Sequence, residues 1–401
     1  MASEFDVRRN RPRAIGGAKI VSNALLFAAL QVACSEPSLE RSRARLSRPA
    51  DPEKEIFIRD RSVIDDPLRS LDPCDVGSEP LPPWSFGKVL ENVAEQAGAS
   101  DAALFVQNWL DTWRQEQEVN GHLLAPLPID QLVTVPWLER SGGDRLDLGR
   151  APFRLLAIVN RLDVAQQDGK GEFRMEYVAN NVFCQPIRFW IILEFELPVD
   201  SPEQVAKLAA RWHALGELDF GEAYNAALQQ LTDELSTARL KRVNTLETEA
   251  SVLEWNFRSF ALVDGSLVNV PLFQTPDVLD ERNPDFISWV NANQEDILAD
   301  RHEVPGSLLG GDTRNLDWTG FGFEDPIEVR HHFALATCNG CHAGETATLF
   351  SHLEKRHRGE ETSLSPYLTG ESILDPGGVW RTFNELGRRS DYLESLLCGA
   401  N

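Results

Sequence analysis

A chain of 401 residues with 42% hydrophobic and 25% charged side chains is long enough to bury a large core and too apolar for intrinsic disorder. Its 62 acidic against 39 basic residues give a formal charge of -23, which repels polyanions and argues against nucleic acid as a partner.

The chain opens with Arg8, Arg9, Arg11, Arg13 and Lys19 ahead of "ALLFAALQVAC". Basic residues, a short apolar run and small residues before a cysteine are the order of an export signal. The run is too short for a mature bilayer-spanning helix, which needs about 20 apolar residues. Leu30, Gln31, Val32, Ala33 and Cys34 resemble a bacterial lipobox, with Gln31 departing from its usual aliphatic residue. The resemblance implies a signal peptide over 1–34, lipidation at Cys34 and a cell-envelope address, periplasm-facing or on the outer surface. Membrane contact is then through the N-terminal lipid only. The polar, Pro-containing text that follows predicts a flexible tether over 35–79. Removing Cys34 to an anchor leaves Cys74, Cys184, Cys338, Cys341 and Cys398, an odd number for an oxidising compartment.

From Pro80 the signals are those of a folded α+β domain reaching about residue 305. "PWSFGKVLENVAEQ" and "SDAALFVQNWLDTWRQEQEV" carry helical periodicity, the second with Ser100 as its expected N-cap. "PFRLLAIVNRLDV", "GEFRMEYVANN" and "IRFWIILEFELP" predict three strands of an antiparallel meander. Two helical stretches, "SPEQVAKLAARWHALG" and "FGEAYNAALQQLTDELSTARL", follow. A return to strands has "VDGS" as its hairpin turn, and "NPDFISWVNANQEDILADR" is helical again. Segregated strands and helices predict a mainly antiparallel sheet with packed helices. The Gly- and Asp-rich text over 306–326 reads as a linker to a small loop-rich and helical segment over 327–401.

That last segment holds five of the eight histidines, His331, His332, His342, His352 and His357, and the motif "TCNGCHAGET". Three readings compete for its C-x-x-C-H spacing. In the first, Cys338 and Cys341 add to the vinyl groups of haem and His342 is the axial ligand of its iron, with electron transfer as the function. On that reading the motif resembles a c-type cytochrome. The family's distal methionine has no counterpart, since Met1 and Met175 are the chain's methionines, so His352 or His357 is the candidate second ligand, or the sixth position is open. In the second reading Cys338, Cys341, His352 and His357 form a structural Cys2His2 zinc site, with His342 a bystander. In the third the cysteines form a disulfide, with each other or with Cys398. The last two belong to a non-enzymatic surface or binding lipoprotein; the first implies a redox partner protein.

"FALATCNGCHAGETATLFSHL", with "NRLD" and "GEFRMEY" upstream and "LSPYLTG" and "RTFNELGRR" downstream, is also similar to a group of exported, lipoprotein-like bacterial proteins. That resemblance spans most of residues 80–400 and implies an address without an activity. Other candidates are weaker. Asp163, Asp168 and Glu172 fail the EF-hand spacing and predict a solvated hairpin turn. Glu194 and Glu196 share one strand face, as a polar sheet surface does. His122 and His213 read as packed, hydrogen-bonded histidines, and the common hydrolase, metalloprotease and nucleotide-binding signatures are absent from the sequence.

Overall fold

The chain lays down one short strand, β1 (Phe57–Ile58), and a small hairpin, β2 (Gln117–Val119) with β3 (His122–Leu124), before its long alternating runs begin. These are β4 (Phe153–Arg161), β5 (Glu172–Asn180), β6 (Pro186–Glu196), β7 (Leu240–Thr248), β8 (Trp255–Val263) and β9 (Ser266–Val270). In the computed structural model, which describes residues 48–75, 80–248, 255–277, 284–311, 313, 317–348 and 351–398, they form one sheet. Its order is β1-β4-β5-β6-β7-β8-β9, with every neighbour antiparallel. The fold is therefore α+β, as the segregation of strands and helices predicts. The leader and Cys34 lie outside the described residues.

Alternation gives the sheet two different faces. Phe173, Met175, Tyr177, Leu193 and Phe195 point to one side, all buried. The helices α1 (Pro52–Glu55), α2 (Arg61–Ile64), α3 (Phe86–Gln96), α4 (Ala102–Asp111), α5 (Val135–Ser141), α6 (Ala165–Asp168), α7 (Pro202–Leu215) and α8 (Glu222–Leu235) complete the sequence up to β7, and α3, α4 and α7 supply the aromatic cover of that side. Phe86 stacks on Phe153 at 4.1 Å, Trp109 meets Phe260 edge-on at 5.6 Å, and Trp212 reaches Phe173 at 6.4 Å. Each such large side chain contributes roughly 1.5–3 kcal/mol by leaving water. The helix entries are local: Ser85, Asp101 and Ser201 accept from the backbone N–H groups of Lys88, Leu104 and Gln204. Asp101, not Ser100, is thus the cap of α4.

After the sheet come α9 (Pro284–Ala292), α10 (Gln294–Leu298), α11 (Glu328–Ala336), α12 (Cys338–Cys341), a hairpin of β10 (Glu371–Leu374) and β11 (Trp380–Phe383) preceded by α13 (Pro366–Thr369), and α14 (Glu385–Cys398). Two expected boundaries move. The tether ends earlier than residue 79, because Ile56, Phe57 and Ile58 are buried and β1 pairs with β4. The linker over 306–326 is part of a second core, where Trp318 and Phe323 pack with Phe286, Val290, Val329 and Phe333. The described residues from Arg48 onward form one compact unit, so the C-terminal segment is not a separate domain. Its last helix reaches back to the start of that unit: the Ala50 N–H donates to Glu394 at 2.9 Å.

Cys74 and Cys184 form a disulfide with Cα atoms 5.6 Å apart, while Cys338, Cys341 and Cys398 are free thiols. The disulfide of the third reading is therefore not formed, and the pair that is formed lies far from the motif in sequence. Among the described residues no helix is long and apolar enough to cross a membrane.

Candidate functional site

The C-x-x-C-H motif is a single helical turn fixed from four sides. Thr337 caps α12 by accepting from the Gly340 N–H at 3.1 Å, and its own hydroxyl donates to the Ala334 carbonyl at 2.7 Å. Trp318 Nε1 donates to Thr337 Oγ1 and Asn339 Oδ1, both at 3.1 Å. The Cys338 N–H donates to Thr275 Oγ1 at 2.8 Å, tying the turn to the chain that leaves β9. Glycine stands at 340 because a Cβ there would collide with the Ala334 carbonyl. The turn closes with the His342 N–H on the Cys338 carbonyl at 2.9 Å, so both thiols and the imidazole leave one short piece of backbone.

His352 comes to meet them. Its Nε2 lies 3.4 Å from Cys341 Sγ, its Nδ1 2.9 Å from Ser365 Oγ, and its ring 4.5 Å from that of His342 and 4.9 Å from Tyr367. His342 also packs on Phe257 of β8 at 5.6 Å. Burial, with His342, Arg389 and Arg161 nearby, holds the His352 imidazole well below its ordinary range, so it is neutral at pH 7. In the tautomer with the proton on Nδ1, donated to Ser365, the Nε2 lone pair faces the Cys341 thiol. Burial pushes the Cys338 thiol up to about 11 and the Cys341 thiol up to about 12, so both stay protonated. Neutral thiols are poor exchange nucleophiles even when half-buried, as these are, which weakens the redox-pair form of the disulfide reading.

The remaining candidates disperse. His357 is exposed, and no three of Cys338, Cys341, His342, His352 and His357 bring ligand atoms within 4.8 Å of one another; among the described residues His331, Glu345 and Asp375 do. The four-ligand zinc set with His357 is not assembled. The His331 group is already neutralised from within: Arg330 pairs with Glu345 at 2.5 Å and with Asp375 at 3.2 Å, and Arg381 with Asp375 at 2.9 Å. It is an ionic lock joining α11, the turn at 344–346 and the β10–β11 hairpin. His332 pairs with Asp300 at 3.1 Å. His213 bonds Glu55 at 2.8 Å and His122 lies 3.4 Å from Asp277, packed histidines as expected. Met175 is fully buried on the helix-covered face, away from the motif.

Beneath the motif lies what sequence reasoning missed. The second face of the sheet is charged, with Arg161 on β4 opposite Glu172 on β5, and Arg174 on β5 opposite Glu194 on β6. Arg174 pairs with Glu172 at 2.6 Å and Glu194 at 2.8 Å, and Lys241 reaches Glu172 at 2.7 Å. Asp163 is buried between Arg161 at 2.9 Å and Arg388 of α14 at 2.8 Å. Asp163 and Glu172, expected on a solvated turn, are instead interior ion-pair partners. Although both are buried, Arg174, Lys241 and Arg161 hold Glu172 down at about 2, and Arg161 and Arg389 hold Asp163 below the usual carboxylate range. Glu194 goes the other way, raised by burial. Glu196 is half-exposed and pairs with Lys170 at 2.5 Å.

The chain matches no protein-family model, no curated protein and no solved structure. What the site can do is therefore argued from its own chemistry.

Proposed function

We propose that this is an exported electron-transfer protein that carries haem covalently on Cys338 and Cys341, with His342 as axial ligand of the iron. One observation carries the reading: two free thiols and the following imidazole leave a single fixed turn, with a second, neutral imidazole beside them. Bound there, the haem would supply a one-electron couple. The protein's own part is to hold the turn rigid through Thr337, Trp318 and Thr275, and to keep the His352 Nε2 unprotonated through Ser365. His352 lies against the His342 ring, and would serve as a second ligand only if the two rings parted. Covalent haem attachment belongs outside the cytoplasm, and the Cys74–Cys184 bridge supports an oxidising compartment.

The test is a visible spectrum of the full chain made with a haem-attachment pathway. A Soret band that survives denaturation, and is lost in the double variant Cys338→Ser/Cys341→Ser, is the expected result. Its absence from the unaltered chain refutes the haem reading. The 3.4 Å approach of Cys341 to His352 favours a second reading, a zinc site begun by that pair, to which Cys338 and His342 would have to be drawn in, since no three of these groups now lie within 4.8 Å of one another. One zinc per chain in haem-free protein, lost with His352→Ala, would establish that reading instead.

A further inference from the structure

Cys74 and Cys184 join the segment before α3 to the turn between β5 and β6, and both are half-buried. The surroundings of this bridge are basic. Arg154 of β4, 2% exposed, brings Nη2 to 3.6 Å from Cys74 Sγ. Its Nη1 donates to the Arg356 carbonyl at 3.3 Å, and its Nε has no hydrogen-bond partner among the described residues. Its carboxylate partner is Asp72 at 3.2 Å, which also accepts from the Cys74 N–H at 2.8 Å and pairs with Arg358 at 3.3 Å. Arg140 donates to the carbonyls of Pro73 and Asn181, and so spans the two stretches of chain that the bridge joins. A buried guanidinium that shares its counter-ion, in contact with one sulfur of a disulfide, is complementary to the thiolate that this sulfur becomes when the bond opens.

Beside the other sulfur stands an apolar handle. Val182 and Phe183, immediately before Cys184, are 46% and 80% exposed. The turn holds them there: Asn181 Oδ1 accepts from the Phe183 and Gln185 N–H groups at 2.9 and 3.0 Å, and the Cys184 carbonyl accepts from Asn180 Nδ2 at 3.1 Å. Cys184 itself has φ at 62°, a left-handed value uncommon outside glycine.

We propose that the Cys74–Cys184 bridge is an exchange site, opened in the folded chain by a protein dithiol that seats on Val182 and Phe183. The proposal is independent of the haem reading. A thiolate of the dithiol bonds to Cys184 Sγ, the Cys74–Cys184 bond breaks, and its electron pair stays on Cys74 Sγ against Arg154. The dithiol's second sulfur then attacks its first, breaking the mixed disulfide and releasing Cys184. Two electrons and two protons have passed from the dithiol, now a disulfide, to the two cysteines. A stabilised leaving thiolate speeds the first of these displacements, and Arg154 supplies the stabilisation.

The experiment treats the full folded chain at pH 7, without denaturant, with dithiothreitol or with reduced thioredoxin, and follows Cys74 and Cys184 by alkylation and peptide mass. The bridge is expected to open with both reagents. Arg154→Met should slow both severalfold, Arg154→Lys should recover part of the rate, and Phe183→Ser should slow thioredoxin alone. Once open, Cys74 should react with iodoacetamide about tenfold faster than in Arg154→Met, the effect of one unit in a thiol's proton affinity. A bridge that opens only as the chain unfolds, or equally fast in Arg154→Met, overturns the proposal. A thioredoxin rate unchanged in Phe183→Ser overturns the seat assigned to the partner. If Arg154→Met does not fold, the opened unaltered chain decides: Cys74 alkylated no faster than Cys184 overturns the proposal.

Discussion

Glu176, buried on β5 two residues beyond Arg174, makes a claim about stability whose sign can be worked out. A free glutamate titrates near pH 4.3, and in the folded chain burial lifts this one to about 7. Between those values the folded state keeps a proton that the unfolded state has released. Stability is therefore fully present below about pH 4, falls as pH rises through the window, and levels off above 7, the whole span being on the order of 3 kcal/mol. Glu176→Gln removes that cost: denaturant melts should show the variant more stable at pH 8 and equal to the parent at pH 4. Glu172 is the opposite case, since its carboxyl is held down at about 2 and its contribution disappears as pH falls from the ordinary glutamate range toward that value. At residue scale the sequence was legible where the chemistry is local. Cys338, Cys341 and His342 announce themselves by spacing. Glu172, Arg174 and Glu176 do not, because alternating charges in a strand look the same whether water or a distant segment lies over them.

Between elements, the ionic lock should dominate the stability of the C-terminal segment. Arg330, 1% exposed, faces two buried carboxylates, and taking it away leaves Glu345 and Asp375 short of a counter-ion. Arg330→Met is expected to cost about 3–5 kcal/mol, the range for breaking a buried pair from one side. Denaturant titration checks it, and a loss under 1 kcal/mol would show that the lock is not needed. A smaller wedge acts at the motif itself: Gly340→Ala drives a methyl into the Ala334 carbonyl, and should separate α11 from α12 and lower haem attachment without changing either cysteine. The strands of the meander and the cap at Ser201 were legible because their signals lie within a dozen residues. The fold of residues 51–66 was not, since a two-residue strand gives no period to detect and owes its place to β4, about a hundred positions later.

For the molecule as a whole, the Cys74–Cys184 bridge closes a loop of 110 residues and so removes much of the freedom of the unfolded chain. A Cys74→Ser/Cys184→Ser variant should lose about 2–5 kcal/mol, measured by denaturant melts with and without a reductant. Unchanged stability would mean that the bridge is dispensable. An odd cysteine count said that pairing was incomplete, but which two thiols meet is a property of the finished fold. The same holds for the charged face, which exists as an interior only when α14 and the motif close over it.

The bond from Ala50 to Glu394 brings the first and last elements of the compact unit together, and it sets an order of events. A chain emerging N-terminus first, from a ribosome or through a translocation pore, can form the helix-covered side of the sheet from segments already released. Its charged side must wait, because Arg388, Arg389 and Glu394 emerge long after the strands they cover. Until then Glu172, Arg174, Glu176 and Glu194 lie open to water, and the thiols of the motif stand ahead of the helix that will enclose them. The fold thus leaves its Cys-His turn uncovered until the helix that carries Arg388 and Arg389 has been delivered.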